Sequence, residues 1–242
     1  MAKAERRPLY EAIKTASRYT DEAVVAFSCG KDAIVTLDLC ARYLRRVEAF
    51  FMYIVPGLEF QEAFLRYTER RYNIRILRIP HWSSGRMFKH AVLRHPNAQA
   101  VDIPTVKIED IYTYVTHHFG IQYTATGEKR SDSQQRLFYI PANGINEKKH
   151  RIYPLANWSG KQVFSYVRQH NLRLPADYDM FKKIGSRGSF DGLAAENLRP
   201  LRERYPEDYK RICEYFPFAG AVLENEEIRN RLTQKALQQP EG

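Results

Sequence analysis

Val24-Val25-Ala26-Phe27-Ser28-Cys29-Gly30-Lys31-Asp32-Ala33 is an apolar strand running into a small-residue loop, with a helix-forming run over residues 32–44 behind it. Ser28 and Gly30 keep the turn small enough for backbone N–H groups to face an anion. The unpaired N–H groups and the dipole of the following helix favour negative charge at the same point. Lys31 adds a full positive charge there. The stretch therefore reads as a phosphate-binding βα turn. It is too short for the loop in which four residues separate the first Gly from Gly-Lys, and it lacks the dinucleotide spacing Gly-x-Gly-x-x-Gly.

Outward from this turn the chain alternates strands and helices. Residues 8–19 carry Leu9, Ile13 and Ala16 at helical spacing, with Pro8 at a first-turn position. The first strand covers residues 22–27. Residues 47–55 are almost continuously apolar, as in a strand covered on both faces. A helix over 60–72 and a strand over 74–79 follow. Periodicity weakens between Pro80 and Val106, which reads as an insertion or lid with a short helix over 87–94. A helix over 108–119 leads to a strand over 121–125, and another strand over 151–155 precedes a helix from Gly160 to His170. Ser159 and Gln162 form a capping box at the start of that helix. Residues 176–198 form a loop rich in Gly, Arg and Lys, with the basic stretch 181–188 as its flexible part. Residues 177–200 are a candidate lid. A helix over 201–215 comes next, and a polar tail follows Gln234. The repeated β-α-β pattern predicts an α/β fold, a doubly wound, mostly parallel, twisted five-stranded sheet with helices on both faces. Residues 1–175 are expected to form the nucleotide-binding α/β domain, and 176–242 a C-terminal extension packed on it.

At 242 residues, 44% apolar and 27% charged, the chain has the composition of an ordinary globular protein. No apolar run reaches membrane-span length and the N-terminal residues lack a signal-peptide core, so no membrane association and a cytoplasmic location are expected. Cys29, Cys40 and Cys213 are scattered, with no Cys-x-x-Cys pair, so no iron–sulfur cluster is expected. The net charge of +10 favours anionic partners, nucleic acid among them.

A second stretch, Thr126-Gly127-Glu128-Lys129-Arg130-Ser131-Asp132-Ser133-Gln134-Gln135-Arg136, also follows a strand and brings three cations to small and polar residues. In doubly wound sheets ligands collect beyond the carboxyl ends of the strands, so the two stretches can share one site. Together these residues resemble a known family. The Ser28 to Asp32 loop is similar to the pyrophosphate loop of the adenine-nucleotide α-hydrolase superfamily, the N-type ATP pyrophosphatases. The 126–136 stretch looks like the Thr-Gly-x-Arg-x-x-Glu-Ser-x-x-Arg motif of phosphoadenylylsulfate (PAPS) reductases. Tyr153-Pro154-Leu155-Ala156-Asn157-Trp158-Ser159 resembles that family's Pro-Leu-x-x-Trp segment, and Gly57-Leu58-Glu59-Phe60-Gln61-Glu62 its turn after the second strand.

The resemblance implies an adenine-nucleotide site for ATP, PAPS or adenosine phosphosulfate (APS). Ser28, Cys29, Gly30, Lys31 and Asp32 would cradle the phosphates, with Asp32 reaching Mg²⁺ through water. Gly127, Lys129, Arg130 and Arg136 would complete the anion site from the other side. Adenine would lie against backbone at Ala26 and Phe27 and near Tyr53 and Ile54. Lys31, Asp32, Arg130 and Arg136 are the candidate catalytic residues. The family loop has Gly where this chain has Cys29 and Ser where it has Ala33. The reductive Glu-Cys-Gly-x-His motif does not occur, since Cys213 lies in Arg211-Ile212-Cys213-Glu214. The expected chemistry is therefore cleavage of ATP between its α and β phosphates to adenylate an acceptor, in sulfur transfer such as DNA phosphorothioate modification. Its partners would be nucleic acid, a sulfur donor such as a cysteine desulfurase, and further copies of the chain. A sulfate adenylyltransferase-like subunit, a PAPS or APS reductase borrowing Cys29 or Cys213, and a non-catalytic nucleotide-binding regulator are the alternatives.

Overall fold

The computed structural model describes residues 9–90, 92–93, 104–180 and 193–237. In chain order these give α1 (Glu11–Ala16), β1 (Glu22–Ala26), α2 (Lys31–Tyr43), β2 (Arg46–Tyr53), α3 (Glu59–Tyr72), β3 (Ile76–Pro80), α4 (Ser84–Lys89), α5 (Ile108–Phe119), β4 (Thr124–Ala125) and α6 (Gln134–Tyr139). There follow β5 (Ile145–Asn146), β6 (Arg151–Ile152), α7 (Gly160–Gln169), α8 (Asp177–Met180), α9 (Ala195–Arg204), α10 (Pro206–Tyr215) and α11 (Ala219–Leu237). No helix among the described residues is long and apolar enough to cross a membrane.

The strands form one sheet in the order β3-β2-β1-β4-β6-β5. Val25 of β1 sits opposite Ala49 of β2 on one side and Ala125 of β4 on the other, both in parallel register. The five expected strands are parallel. A sixth, β5, adds antiparallel to β6, with Ile145 opposite Ile152. A two-residue strand carries no periodicity to read, and it pairs because the chain reverses between the two strands over residues 147–150, ending at His150 with φ +45°. The chain steps outward from β1 to β3, then returns to β4 on the other side of β1. The switch point of strand order therefore lies between β1 and β4.

Alternation along the strands splits the core in two. Ala23 and Val25 of β1, with Ala49 and Phe51 of β2, pack under α2 and α7, while Val24 and Phe50 face Val115 of α5. Helices cover both faces, as the apolar run of β2 implies. Within the first layer, buried Asp38 of α2 accepts hydrogen bonds from Tyr166 of α7 (2.6 Å), Arg42 (2.7 Å) and Tyr72 of α3 (2.8 Å).

Several boundaries differ from the sequence reading. The strands expected over 121–125 and 151–155 pair only at their two-residue cores, and α4 begins before the helix expected over 87–94. The helix expected over 201–215 is two, because Pro206 starts a new helix at its first turn, where a missing N–H costs nothing. The capping box of Ser159 and Gln162 is present. Pro8, residue 94 and the basic stretch 181–188 lie outside the described residues.

Helices α9 to α11 build a third apolar cluster, in which Leu198, Leu201, Ile212, Phe216 and Leu223 meet Val55, Leu58 and Phe60. α3 has no side-chain cap of its own. Buried Asp208 of α10 supplies one, accepting from the backbone N–H groups of Glu59 (2.8 Å) and Phe60 (3.0 Å). Arg211 donates to the carbonyls of Pro56 (3.3 Å) and Gly57 (3.2 Å), so the loop after β2 is held from both directions.

Replacing Asp38 by Ala strands two tyrosine hydroxyls in the core, and we expect a loss of about 2–4 kcal/mol in chemical denaturation. Burial opposes ionisation of Asp38, but the hydrogen bonds from Tyr166, Arg42 and Tyr72 outweigh it and hold its pKa below the ordinary carboxylate value. Its contribution is therefore complete above about pH 4 and disappears as pH falls through the lowered folded value. The parent should lose stability in that acid range more steeply than Asp38→Asn.

Candidate functional site

Because β1, β2, β4 and β6 are parallel, the loops that follow them open on one edge of the sheet. The loop after β1 turns at Cys29, whose φ of +63° is the left-handed conformation that glycine adopts without strain. Its side chain is buried, whereas Ser28 is exposed. Gly30 is extended and α2 begins at Lys31. The first helical N–H groups have no intrahelical acceptor. The Lys31 N–H meets the hydroxyl of Tyr178 at 2.6 Å. The Tyr178 ring packs edge-on against Phe164, and the same Phe164 ring lies 5.6 Å from Lys31 Nζ.

The loop after β4 approaches within contact of this turn. A Cβ added to Gly127 would stand 2.8 Å from the Asp32 carbonyl carbon and 3.0 Å from the Ala33 nitrogen. Glycine is what lets the two loops touch. Two residues on, Lys129 Nζ donates to Asp32 Oδ2 at 2.9 Å and to Asp132 Oδ1 at 3.0 Å. Lys31 Nζ donates to the same Asp32 Oδ2, also at 2.9 Å. Both lysines are nearly inaccessible, at 5% and 3% exposure. Two buried ammonium groups thus stand no more than two hydrogen-bond lengths apart on one carboxylate oxygen. Such a pair is costly unless further anionic oxygens reach it.

The structure brings Ser28, Cys29, Gly30, Lys31, Asp32, Gly127 and Lys129 together. It directs Arg136 and Arg130 elsewhere. Arg136 is committed to Glu128 Oε1 at 3.1 Å and Asp132 Oδ2 at 3.2 Å. Burial of Tyr139, reinforced by its 2.6 Å hydrogen bond to the same Glu128 oxygen, raises its pKa to about 12. Arg130 reaches toward Asn157. The Phe27 ring stacks on Phe64 in the core, leaving only its backbone for a ligand, and Tyr53 and Ile54 are half-buried at the end of β2. Sequence reasoning missed Phe164 and Tyr178, which carry no motif and reach the loop only through the packing of α7 and α8. It also left out Asp132 and Glu128, whose spacing to Lys129 and Arg136 was the available signal.

Among the described residues no cluster of three or more His, Cys, Asp or Glu side chains forms a metal cage. Mg²⁺ needs only one or two carboxylates when phosphates supply the rest. Asp32 Oδ2 is taken by the lysines, but Oδ1 is buried without a hydrogen-bond partner, which suits a contact to metal-bound water.

Residues 22–188 match the model of the phosphoadenosine phosphosulfate reductase domain. An adenosine 5′-phosphosulfate reductase of Geobacillus thermodenitrificans is 25% identical over 163 residues, 64% of this chain and 66% of that protein. An uncharacterized protein of Methanocaldococcus jannaschii is 26% identical over 200 residues, 77% of this chain. The chain spans only 45% of that archaeal relative. The crystal structure of a PAPS reductase from Candida auris, a phosphate complex, superposes with a TM-score of 0.47 at 17% identity, covering 74% of this chain and 93% of the other. Fold and motifs define an α/β protein of the reductase-like type. The chain belongs to the phosphoadenosine phosphosulfate reductase domain family.

Two substitutions test the loop contacts. At Cys29 the relief of left-handed strain by Gly is offset by backbone entropy and lost burial, so Cys29→Gly should stay within about 1 kcal/mol of the parent, while β-branched Cys29→Val costs about 2 kcal/mol or more. Gly127→Ala should cost about 1–3 kcal/mol in thermal unfolding, with a matching loss of nucleotide affinity in calorimetry.

Proposed function

We propose that this chain is an ATP-using enzyme that cleaves ATP between the α and β phosphates and so adenylates an acceptor, within a sulfur-transfer system such as DNA phosphorothioate modification. The observation that carries the reading is the pair of buried lysines on Asp32, at the switch point of strand order and at the start of α2. An acceptor oxygen attacks the α-phosphorus, the bond from that phosphorus to the bridging oxygen breaks, and pyrophosphate leaves with the electron pair. Charge grows on the leaving group, where Lys31, Lys129 and the first N–H groups of α2 supply positive charge with no reorganisation. Tyr178 must give up the Lys31 N–H for a phosphate oxygen to take it. Mg²⁺, when bound through the nucleotide phosphates, would supply further charge neutralisation.

The thiols support this reading over sulfonucleotide reduction. Burial pushes the Cys40 thiol up to about 12. Cys213 packs partly buried among the C-terminal helices, in the last turn of α10. The second reading, reduction of APS, is favoured by the activity named for the Geobacillus relative and rests on Cys29 in the loop.

Incubation with Mg²⁺ and α-labelled ATP, with and without DNA and a sulfur donor, should give AMP or an adenylylated product. Lys31→Ala and Lys129→Ala should each slow it by about 10²–10³-fold. Sulfite release from APS, lost in Cys29→Ser, would replace this reading with the reductase. ATP binding with no turnover under any condition would leave only a nucleotide-binding regulator, and neither AMP nor an adenylylated product would sink the proposal.

A further inference from the structure

The loops after β4 and β6 enclose a second space, an open cleft of about 490 Å³ walled by Arg130, Ser133, Gln134, Leu137 and Asn157. None of the loop residues 28–32 borders it. Arg130 is fixed at its root, its backbone N–H donating to the Ala156 carbonyl at 3.0 Å. Among the described residues its Nε is buried without a hydrogen-bond partner, and its Nη1 makes a long 3.4 Å contact to Asn157 Oδ1. Asn157 is itself held by a 2.8 Å bond to the Ala142 carbonyl. The nearby carboxylates are already engaged, Asp132 by Lys129 and Arg136, and Glu128 by Arg136. Among the described residues no carboxylate pairs with Arg130. A half-buried guanidinium that lines a cleft of ligand size, with no carboxylate partner among the described residues, calls for an anionic oxygen.

The wall formed by α6 adds a second feature. Leu137, in the wall, is 46% exposed, and the next residue, Phe138, outside the lining but on the same helix, is 86% exposed. An apolar group of this kind would suit a protein partner if it stood alone. Here it adjoins an unmatched cation on a chain of net charge +10, which favours a polyanion with flat apolar faces. Single-stranded nucleic acid has that chemistry, with backbone phosphates for a cation and unstacked bases for an exposed ring. In a duplex the bases are already stacked and would gain nothing from Phe138.

We propose that the cleft between the loops after β4 and β6 is an acceptor site for single-stranded nucleic acid, with Arg130 on a phosphodiester and Phe138 stacking on a base. This rests on the reading of the adjoining Lys31 and Lys129 site as the nucleotide site. It moves Arg130 from the phosphates of the nucleotide to those of the acceptor.

The test is fluorescence anisotropy of a labelled single-stranded 12-nucleotide oligonucleotide with the full chain, beside calorimetry with ATP. The parent should bind, with affinity falling as salt rises. Arg130→Ala should weaken oligonucleotide binding about tenfold and Phe138→Ala at least about fivefold, with Phe138→Trp restoring it. In both Ala variants the loss should be larger for the oligonucleotide than for ATP. Absence of oligonucleotide binding, indifference to both substitutions, equal preference for duplex, or a greater loss for ATP in Arg130→Ala would each overturn the proposal. Oligonucleotide binding that follows this pattern in a protein yielding no AMP would refute the ATP cleavage reading and leave the acceptor site standing.

Discussion

Asp32 Oδ2 receives a hydrogen bond from the lysine beside it and another from Lys129, which arrives on a different strand's loop. Much of the molecule's edge is arranged so that this can happen. Lys129 reaches the oxygen only because β4 lies beside β1, and β4 lies there because the chain reverses its outward course after β3. Gly127 lets the two loops close to contact, and Asp132 and Glu128 with Arg136 balance the charge left over. Buried ammonium groups lose several kcal/mol of hydration each, so the arrangement is stable only with its carboxylates in place.

Carboxylates perform the equivalent task elsewhere. Asp38 gathers donors from α3 and α7 onto α2, and Asp208 joins α10 to the start of α3. Each draws together elements distant in sequence. Apolar packing brings the elements to the same place without discriminating finely among orientations, and the directional bonds to a fixed carboxylate narrow the choice.

The readable part of the sequence was the part governed by local rules. Continuous apolar runs gave β1 and β2, and 3.6-residue spacing gave α2, α3, α5 and α7, down to the capping box at Ser159. β5 was not legible, because two residues have no period and their pairing is decided by the turn over residues 147–150 and a neighbouring strand. The helix over α9 and α10 was read as one because its apolar spacing continues across Pro206. In the site, the small residues and Lys31 were visible as a motif. The direction of each cation was not. Lys129, Arg130 and Arg136 look interchangeable in a string of letters, and only the positions of Asp32, Glu128 and Asp132 in space sort them into one that meets the loop and two that do not. Tyr178 and Phe164 reach the loop from elements whose docking no local pattern encodes.

The cap that α10 gives α3 bears on where this protein ends as a physical object. Likeness to the reductase domain stops at residue 188, before α9, α10 and α11 begin. Yet the first turn of α3, well inside the matched span, has its backbone donors met by Asp208, and the carbonyls of the loop before it are met by Arg211. A chain cut at the limit of the likeness would keep every recognisable motif and lose the acceptors and donors that hold one of them in shape. Ancestry and cooperativity draw different borders here. Helices outside the matched span act as a splint for a turn inside it.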